Sequence, residues 1–168
     1  RFTLLTYEKK ERLKDLRRVE FLRQRLLKSN IRWEIMKYHK TPTVPATAYD
    51  IAAGIVKVFM IIIKERIELI HARSFIGAFP ALIAAKLLNI KFIFDMRGFW
   101  PDERVDGNIW KSKGLLYKIA KWCEKIFLQN ADWIVCLTEE AKSIAVRFPF
   151  LKGKEAFIDV IPTCVDTF

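Results

Sequence analysis

The stretch IELIHARSFIGAFPALIAAKLLNIKFIFD, Ile67–Asp95, decides the fold. Its first eight residues, Ile67–Ser74, are rich in Ile and Leu and read as a strand. Phe75–Asn89 reads as a buried helix, with Pro80 tolerable only near the first turn. Lys91–Asp95 is a second strand. Strand, helix and strand within about 30 residues make a βαβ unit, the building block of a parallel sheet.

The same alternation continues on both sides. Towards the N-terminus, Arg1–Tyr7 reads as a strand and Lys9–Ser29 as a helix with Leu13, Leu16, Val19 or Glu20, and Leu26 in helical register, three residues apart or two turns on. Asn30 is suited to a left-handed stop, and Ile31–Tyr38 alternates as a strand. TPTVPATAYD then reads as a turn-rich loop before a helix at about 48–66. Towards the C-terminus come a helix over Leu115–Asn130, the strand WIVCLT, the short helix TEEAKSIAVRF and a last strand, FIDVIPT. Apolar strands such as IELI, FIF and WIVCL lack polar alternation, the pattern of a sheet buried on both faces. The expected fold is a three-layer, Rossmann-like α/β domain: a parallel sheet with helices on both sides.

At 168 residues the chain is long enough for one domain with a sizeable core, and 52% hydrophobic against 29% charged residues suits a globular one. Thirty Lys and Arg against 19 Asp and Glu leave a net charge of +11. Residues 1–40 hold 13 basic and 5 acidic side chains, so +8 of that excess sits in one N-terminal segment. Such a patch suits an anionic surface or substrate; a solubilising helix face explains it equally well. Cys123, Cys136 and Cys164 follow no CxxC spacing and read as buried thiols, with neither a disulfide framework nor a zinc site. No signal peptide is recognisable. The apolar run Ile51–Ile63, interrupted by Lys57, is shorter than the roughly 20 residues a membrane span needs.

Parallel sheets bind ligands beyond the carboxyl ends of their strands. That rule singles out Arg73 and Ser74 after one strand, Asp95, Arg97, Gly98, Trp100, Asp102 and Glu103 after the next, and Thr138 and Glu139 after a third. The segment between Asp95 and Leu115, which opens MRGFWPDERVDG, reads as a loop of roughly 20 residues, a length that is usually functional when it is ordered. Plainer roles remain open: Asp95 as a turn cap, Arg97 and Arg104 as members of an ion network with Asp102, Glu103 or Asp106, and His71 as a core histidine. GxSxG, HExxH, Walker and GxGxxG patterns are absent, and two histidines do not build a multi-histidine metal site.

Three pieces, taken in order, resemble the amino-terminal half of the retaining GT-B glycosyltransferases of family 4: IHARSFIGAFPALIAAKLLNIKFIFDMRG, LYKIAKWCEKIFLQNADWIVCLTEEAKSI and IDVIPTCVDTF. The resemblance covers about residues 67–168; residues 1–66 agree in layout only. It implies an acceptor-binding domain, cut at both ends, whose first β-loop-α unit and carboxy-terminal donor-binding domain lie outside this sequence. It implies transfer of a sugar, with retention, from a UDP- or GDP-linked donor to a glycan or lipid-linked acceptor, with no cofactor or metal. This fragment alone is then expected to be inactive. Asp95-Met96-Arg97-Gly98 matches the family's Asp-x-His-Gly step, with Arg97 in the histidine's place. An arginine there can hold charge but cannot shuttle a proton. Arg97 is thus the catalytic candidate, and the other rim residues named above are the substrate-binding ones. Phe99 and Trp100 are candidates to pack on a sugar ring or lipid tail, and Asp102 and Glu103 to accept from sugar hydroxyls. Glu124 and Asp132 match a helix-to-strand step and are expected to be structural. Cys164 stands where many members have glycine.

The basic helix adds a second expectation. Arg12, Arg17, Arg18, Arg23 and Arg25 around a leucine stripe suit docking on an anionic membrane. The implied location is cytoplasmic, peripheral on the inner face of the membrane, in polysaccharide biosynthesis. The competing reading is a non-enzymatic basic α/β module that binds nucleic acid or another polyanion, though no RRM, KH or helix-turn-helix pattern supports it. A regulatory flavodoxin-like domain fits less well, since it wants an acidic cluster after the first strand.

Overall fold

A computed structural model describes residues 2–39 and 41–163 of the chain. Cys164 and the end of the IPTCVDTF segment, including Asp166, lie outside the described residues. The elements run β1 (Phe2–Lys9), α1 (Lys10–Leu13), α2 (Leu16–Lys28), β2 (Ile31–Tyr38), α3 (Thr43–Glu65), β3 (Leu69–Arg73), α4 (Phe75–Leu88) and β4 (Lys91–Asp95). They continue as α5 (Trp100–Asp106), α6 (Leu115–Asn130), β5 (Trp133–Cys136), α7 (Glu139–Ala145), two 3₁₀ turns, and β6 (Ile158–Val160). Every strand pairing is parallel, as the alternation implies. The described strands form two sheets rather than one, β1-β2 and β3-β4-β5-β6, and the chain divides into compact units at Gly54.

In the first unit, residues 1–54, the expected single basic helix is broken in two. Asp15 caps α2 by accepting from the Arg18 amide at 3.1 Å, which ends α1 one turn earlier. Val19, Leu22 and Leu26 are half-buried, whereas Leu16, expected in the inward stripe, is 75% exposed. Asn30 adopts the left-handed φ of 57° that a helix stop requires. Trp33 on β2 donates its indole N–H to Thr6 of β1 at 2.9 Å. Tyr7 donates to the backbone carbonyl of Asp50 at 3.0 Å, tying β1 to the first turns of α3.

The Asp50 carboxylate is 2% exposed, and His39 engages both of its oxygens: the backbone amide at 2.9 Å and ring Nδ1 at 2.6 Å. The carboxylate can only accept, so Nδ1 carries the proton. The Tyr49 ring stands nearly perpendicular to the imidazole, with the centroids 5.3 Å apart. This pairing fixes the end of β2 to α3.

α3 starts five residues earlier than expected because Pro45 falls in its first turn, where a missing N–H costs nothing. At 23 residues it is long and apolar enough to cross a membrane by length and composition, so the argument that it is too short does not hold. What it contains is less suited to lipid: Asp50, paired with His39, and Lys57. Ala46, Val58 and Ile62 are buried, while Val56, Met60 and Ile63 are exposed.

In the second unit, residues 55–168, one face of the β3–β6 sheet makes the core. Ala72, Phe92, Phe94, Ile134, Cys136 and Ile158 pack there against Phe75, Ala78, Ala81, Phe127 and Leu128 of α4 and α6. Pro80 sits in the interior of α4, in its second turn, among these buried residues. Asn89 closes the helix with a φ of 52°. The opposite sheet face carries a different row: Arg73 pairs in register with Asp95, Asp95 with Val135, and Val135 with Asp159. His71, Arg73 and Asp159 are exposed, so β3 and β6 alternate and the expectation of full burial on both faces fails for them.

The amino ends of the strands are pinned by Asp132, which accepts from the Phe92 amide and from Lys91 Nζ, both at 2.9 Å. Partial burial opposes ionisation of Asp132, but these donors hold its carboxyl below the ordinary range. Lys154 reaches the last carbonyls of α6, at Gln129 (2.7 Å) and Ala131 (2.8 Å), where a cation offsets the helix dipole. Cys123 and Cys136 are buried and free, and burial pushes the Cys136 thiol up to about 11, which makes it unreactive at neutral pH.

Candidate functional site

Parallel pairing puts the carboxyl ends of β3, β4, β5 and β6 on one rim. Arg73 and Ser74 therefore share it with Asp95, Arg97 and Gly98, with Thr138 and Glu139, and with Thr163.

Asp95 lies at its centre, 7% exposed. One carboxylate oxygen is 3.5 Å from Arg73 Nε and 3.7 Å from His71 Nε2; the other, Oδ1, is buried without a partner among the described residues. A buried acceptor left unpaired costs about 1–3 kcal/mol, a cost this rim carries at its centre. Arg73 also donates to Thr163 Oγ1 at 3.3 Å, linking the ends of β3 and β6.

Two residues of the rim hold backbone conformations that side chains disfavour. Ser74 has φ 70° and ψ 171°, a region almost restricted to glycine, and its amide donates to the Asp95 carbonyl at 2.9 Å. Arg97 has φ 58°, and the Gly98 amide turns back onto the Met96 carbonyl at 2.6 Å, a γ-turn of the rarer, strained hand. Arg97 is exposed and makes no hydrogen bond or ion pair among the described residues. The guanidinium is available.

The segment that follows is not the long loop expected. It folds into α5, with Pro101 at the start and Asp102 and Glu103 in the first turn, the residues a helix N-terminus favours. Trp100 stacks on Phe75 (4.6 Å, 23°), meets Trp110 edge-on at 5.0 Å and carries Arg104 at 4.9 Å from its ring. Phe99 meets Phe148 at 5.9 Å. Both aromatics thus serve the protein's own packing. Asp102 spends one oxygen on Tyr117 (2.7 Å) and the other on Lys121 (2.9 Å), and Arg104 joins no ion pair with it. Glu103 is exposed and lies so close to Gly98 that a Cβ there would collide with its carboxylate.

Thr138 caps α7 by accepting from the Ala141 amide at 3.1 Å, and Glu139 is exposed on the first turn. Arg12, Arg17, Arg18, Arg23 and Arg25 are all exposed on α1 and α2; Arg12 reaches Glu8 at 4.0 Å and Arg23 reaches Glu20 at 3.9 Å. Among the described residues no three His, Cys, Asp or Glu side chains lie together as a metal set. Sequence reasoning missed Lys121, whose contact with Asp102 arises only when α5 meets α6, and the His39–Asp50 pair. The signal for that pair was an aspartate inside an apolar helical run, YDIAAG.

Comparison with known proteins gives the same picture. A glycosyltransferase of Rickettsia africae ESF-5 superposes with a TM-score of 0.55 at 19% identity, covering 99% of this chain and 44% of its own. A protein described as a UDP-N-acetylglucosamine 2-epimerase of Listeria monocytogenes gives 0.52 at 17% identity, covering 83% and 33%. A UDP-N-acetylglucosamine 2-epimerase of Rickettsia bellii gives 0.51 at 16%, covering 96% and 37%. These are GT-B-type neighbours, and the likeness is one of fold. The chain spans less than half the length of each. No curated protein matches. The sequence model of Glycosyltransferase Family 4 matches residues 4–167, nearly the whole chain. The chain belongs to Glycosyltransferase Family 4.

Proposed function

We propose that this chain is the acceptor-binding part of a retaining glycosyltransferase that moves a sugar from a UDP- or GDP-linked donor to a glycan or lipid-linked acceptor. The observation that carries the reading is Arg97: an unpaired guanidinium at the carboxyl rim of a parallel sheet, held in a strained turn. As the bond from the anomeric carbon to the diphosphate breaks, negative charge grows on the leaving oxygens. A fixed cation stabilises that charge more in the transition state than before it. Asp95, whose Oδ2 lies beside Arg73 and His71, sits at the centre of this rim. Arg73, Ser74, Thr138 and Glu139 complete the rim. In the full-length enzyme, Arg97→Ala is expected to lower kcat about 10²-fold, with Arg97→Lys recovering part of it. Unchanged transfer by Arg97→Ala removes the proposed role.

The basic helix supports a location as well. Every basic residue of α2 is exposed, and so are Leu16, Phe21 and Leu27 beside them. Apolar side chains set among arginines favour an anionic lipid surface, on the cytoplasmic face of the membrane in this reading, with about 1 kcal/mol from each nearby cation. Sedimentation with phosphatidylglycerol-containing vesicles is expected to retain the protein, with release at high salt and in the Leu16→Ser, Phe21→Ser variant. Equal binding to purely zwitterionic vesicles overturns this part.

A further inference from the structure

The approach of α5 to α6 carries an ion cluster that the rim residues do not use. Tyr117, Lys121 and Glu124 lie on one face of α6 at i, i+4 and i+7. Lys121 Nζ lies 2.9 Å from Asp102 Oδ2 and hydrogen-bonds Glu124 Oε1, and the rings of Phe99 (5.7 Å) and Phe148 (5.9 Å) flank it. Tyr117 donates to the second Asp102 oxygen. Glu124 is 4% exposed. Burial pushes its carboxyl up, and Lys121 offsets that only in part. Burial also acts against the Lys121 ammonium, but Glu124 and Asp102 outweigh it and raise its pKa.

As a source of stability this arrangement is poor. Two carboxylates and one ammonium are taken partly out of water, where apolar residues of similar volume often serve as well or better. Its yield is orientation. Lys121 meets Asp102 in front and Glu124 behind, so α5 can take only one register on α6. The first turn of α5 follows directly on the turn after β4, and the Glu103 carboxylate of that helix lies against Gly98. Fixing Asp102 therefore fixes Gly98 and Arg97 four and five residues earlier.

We propose that Lys121 is a positioning residue: braced by Glu124 and gripping Asp102, it holds the 97–100 segment in the geometry that presents Arg97. The inference rests on the reading of Arg97 as substrate-facing. It adds that the guanidinium is placed from α6, through charge. Reactions that need a cation at one point lose up to about 10²-fold from small misplacement.

The test pairs hydrogen exchange with turnover. In Lys121→Met, which keeps the apolar stem, amides 98–107 are expected to exchange about tenfold faster, while those of β4 and β5 hold. Lys121→Arg restores protection by keeping the cation, and Glu124→Gln shifts exchange in the same direction as Lys121→Met. In the full-length enzyme, Lys121→Met is expected to lower kcat about tenfold or more with donor KM little changed, and Lys121→Arg to recover it. Unaltered exchange at 98–107, a uniform rise across the chain, or failure of Lys121→Arg to rescue would each overturn the proposal. If the exchange pattern holds and the full-length enzyme transfers no sugar, the functional reading fails while the bracing of the segment by Lys121 stands.

Discussion

Replacing Phe127 by alanine is expected to destabilise the second unit by about 3–5 kcal/mol. The residue is 2% exposed, and its ring meets Phe79 at 4.8 Å, Phe75 at 5.2 Å and Phe94 at 5.5 Å, mostly edge to face. Three elements, α4, α6 and β4, converge on that ring. Its loss forfeits both the transferred apolar area and the aromatic pairings, and rigid neighbours collapse poorly into the space. Urea unfolding measures the effect as a lower midpoint at unchanged slope. A change below about 1 kcal/mol would mean that the aromatic cluster is not packed as described. Phe127→Leu, which keeps most of the volume, is expected to cost much less.

In the first unit the large effect belongs to His39. Removing it strands the Asp50 carboxylate, 2% exposed, with only a backbone amide for company. Breaking a buried pair from one side typically costs about 3–5 kcal/mol. Water can reach the vacated space because the imidazole is half-exposed, which places His39→Ala at the lower end, about 3 kcal/mol. The check is a double-mutant cycle: in an Asp50→Asn background the same substitution should cost far less. Strict additivity of the two changes would show that the pair does not hold β2 to α3.

Much of the fold was legible because its strands are short apolar runs separated by good helix formers. The bounds of β2, β4 and α6 follow from where those runs begin and end, and Asn30 takes the left-handed conformation its position suggests. Partition into two sheets was not legible. Which strands become neighbours depends on how crossovers pack, and no local pattern records it. The same limit applies to α5, where GFWPDERVDG carries a proline and a dense run of charge that resemble a loop. A proline in the first turn followed by acids is also how a helix begins, and burial of Pro101 decides in favour of the helix.

At the site, residue type brought the candidates to one rim but did not show the partner of each. Asp102 and Trp100 look available in sequence, yet α6 and α4 occupy them. Asp95 looks like a turn cap, yet it holds an orphaned oxygen. Contacts between elements decide which polar groups remain free, and those contacts are set by packing. Glu124 and Lys121 were readable as an i, i+3 pair on α6; their shared partner on α5 was not.

The tight corner at Arg97 sets two kinds of laboratory selection against each other. A side chain with a positive φ stores roughly 1–3 kcal/mol that glycine or asparagine would largely release. A library sorted by heat resistance alone would therefore drift to those residues at position 97 and lose the cation. One sorted by product formation would keep the cation and accept a lower melting point.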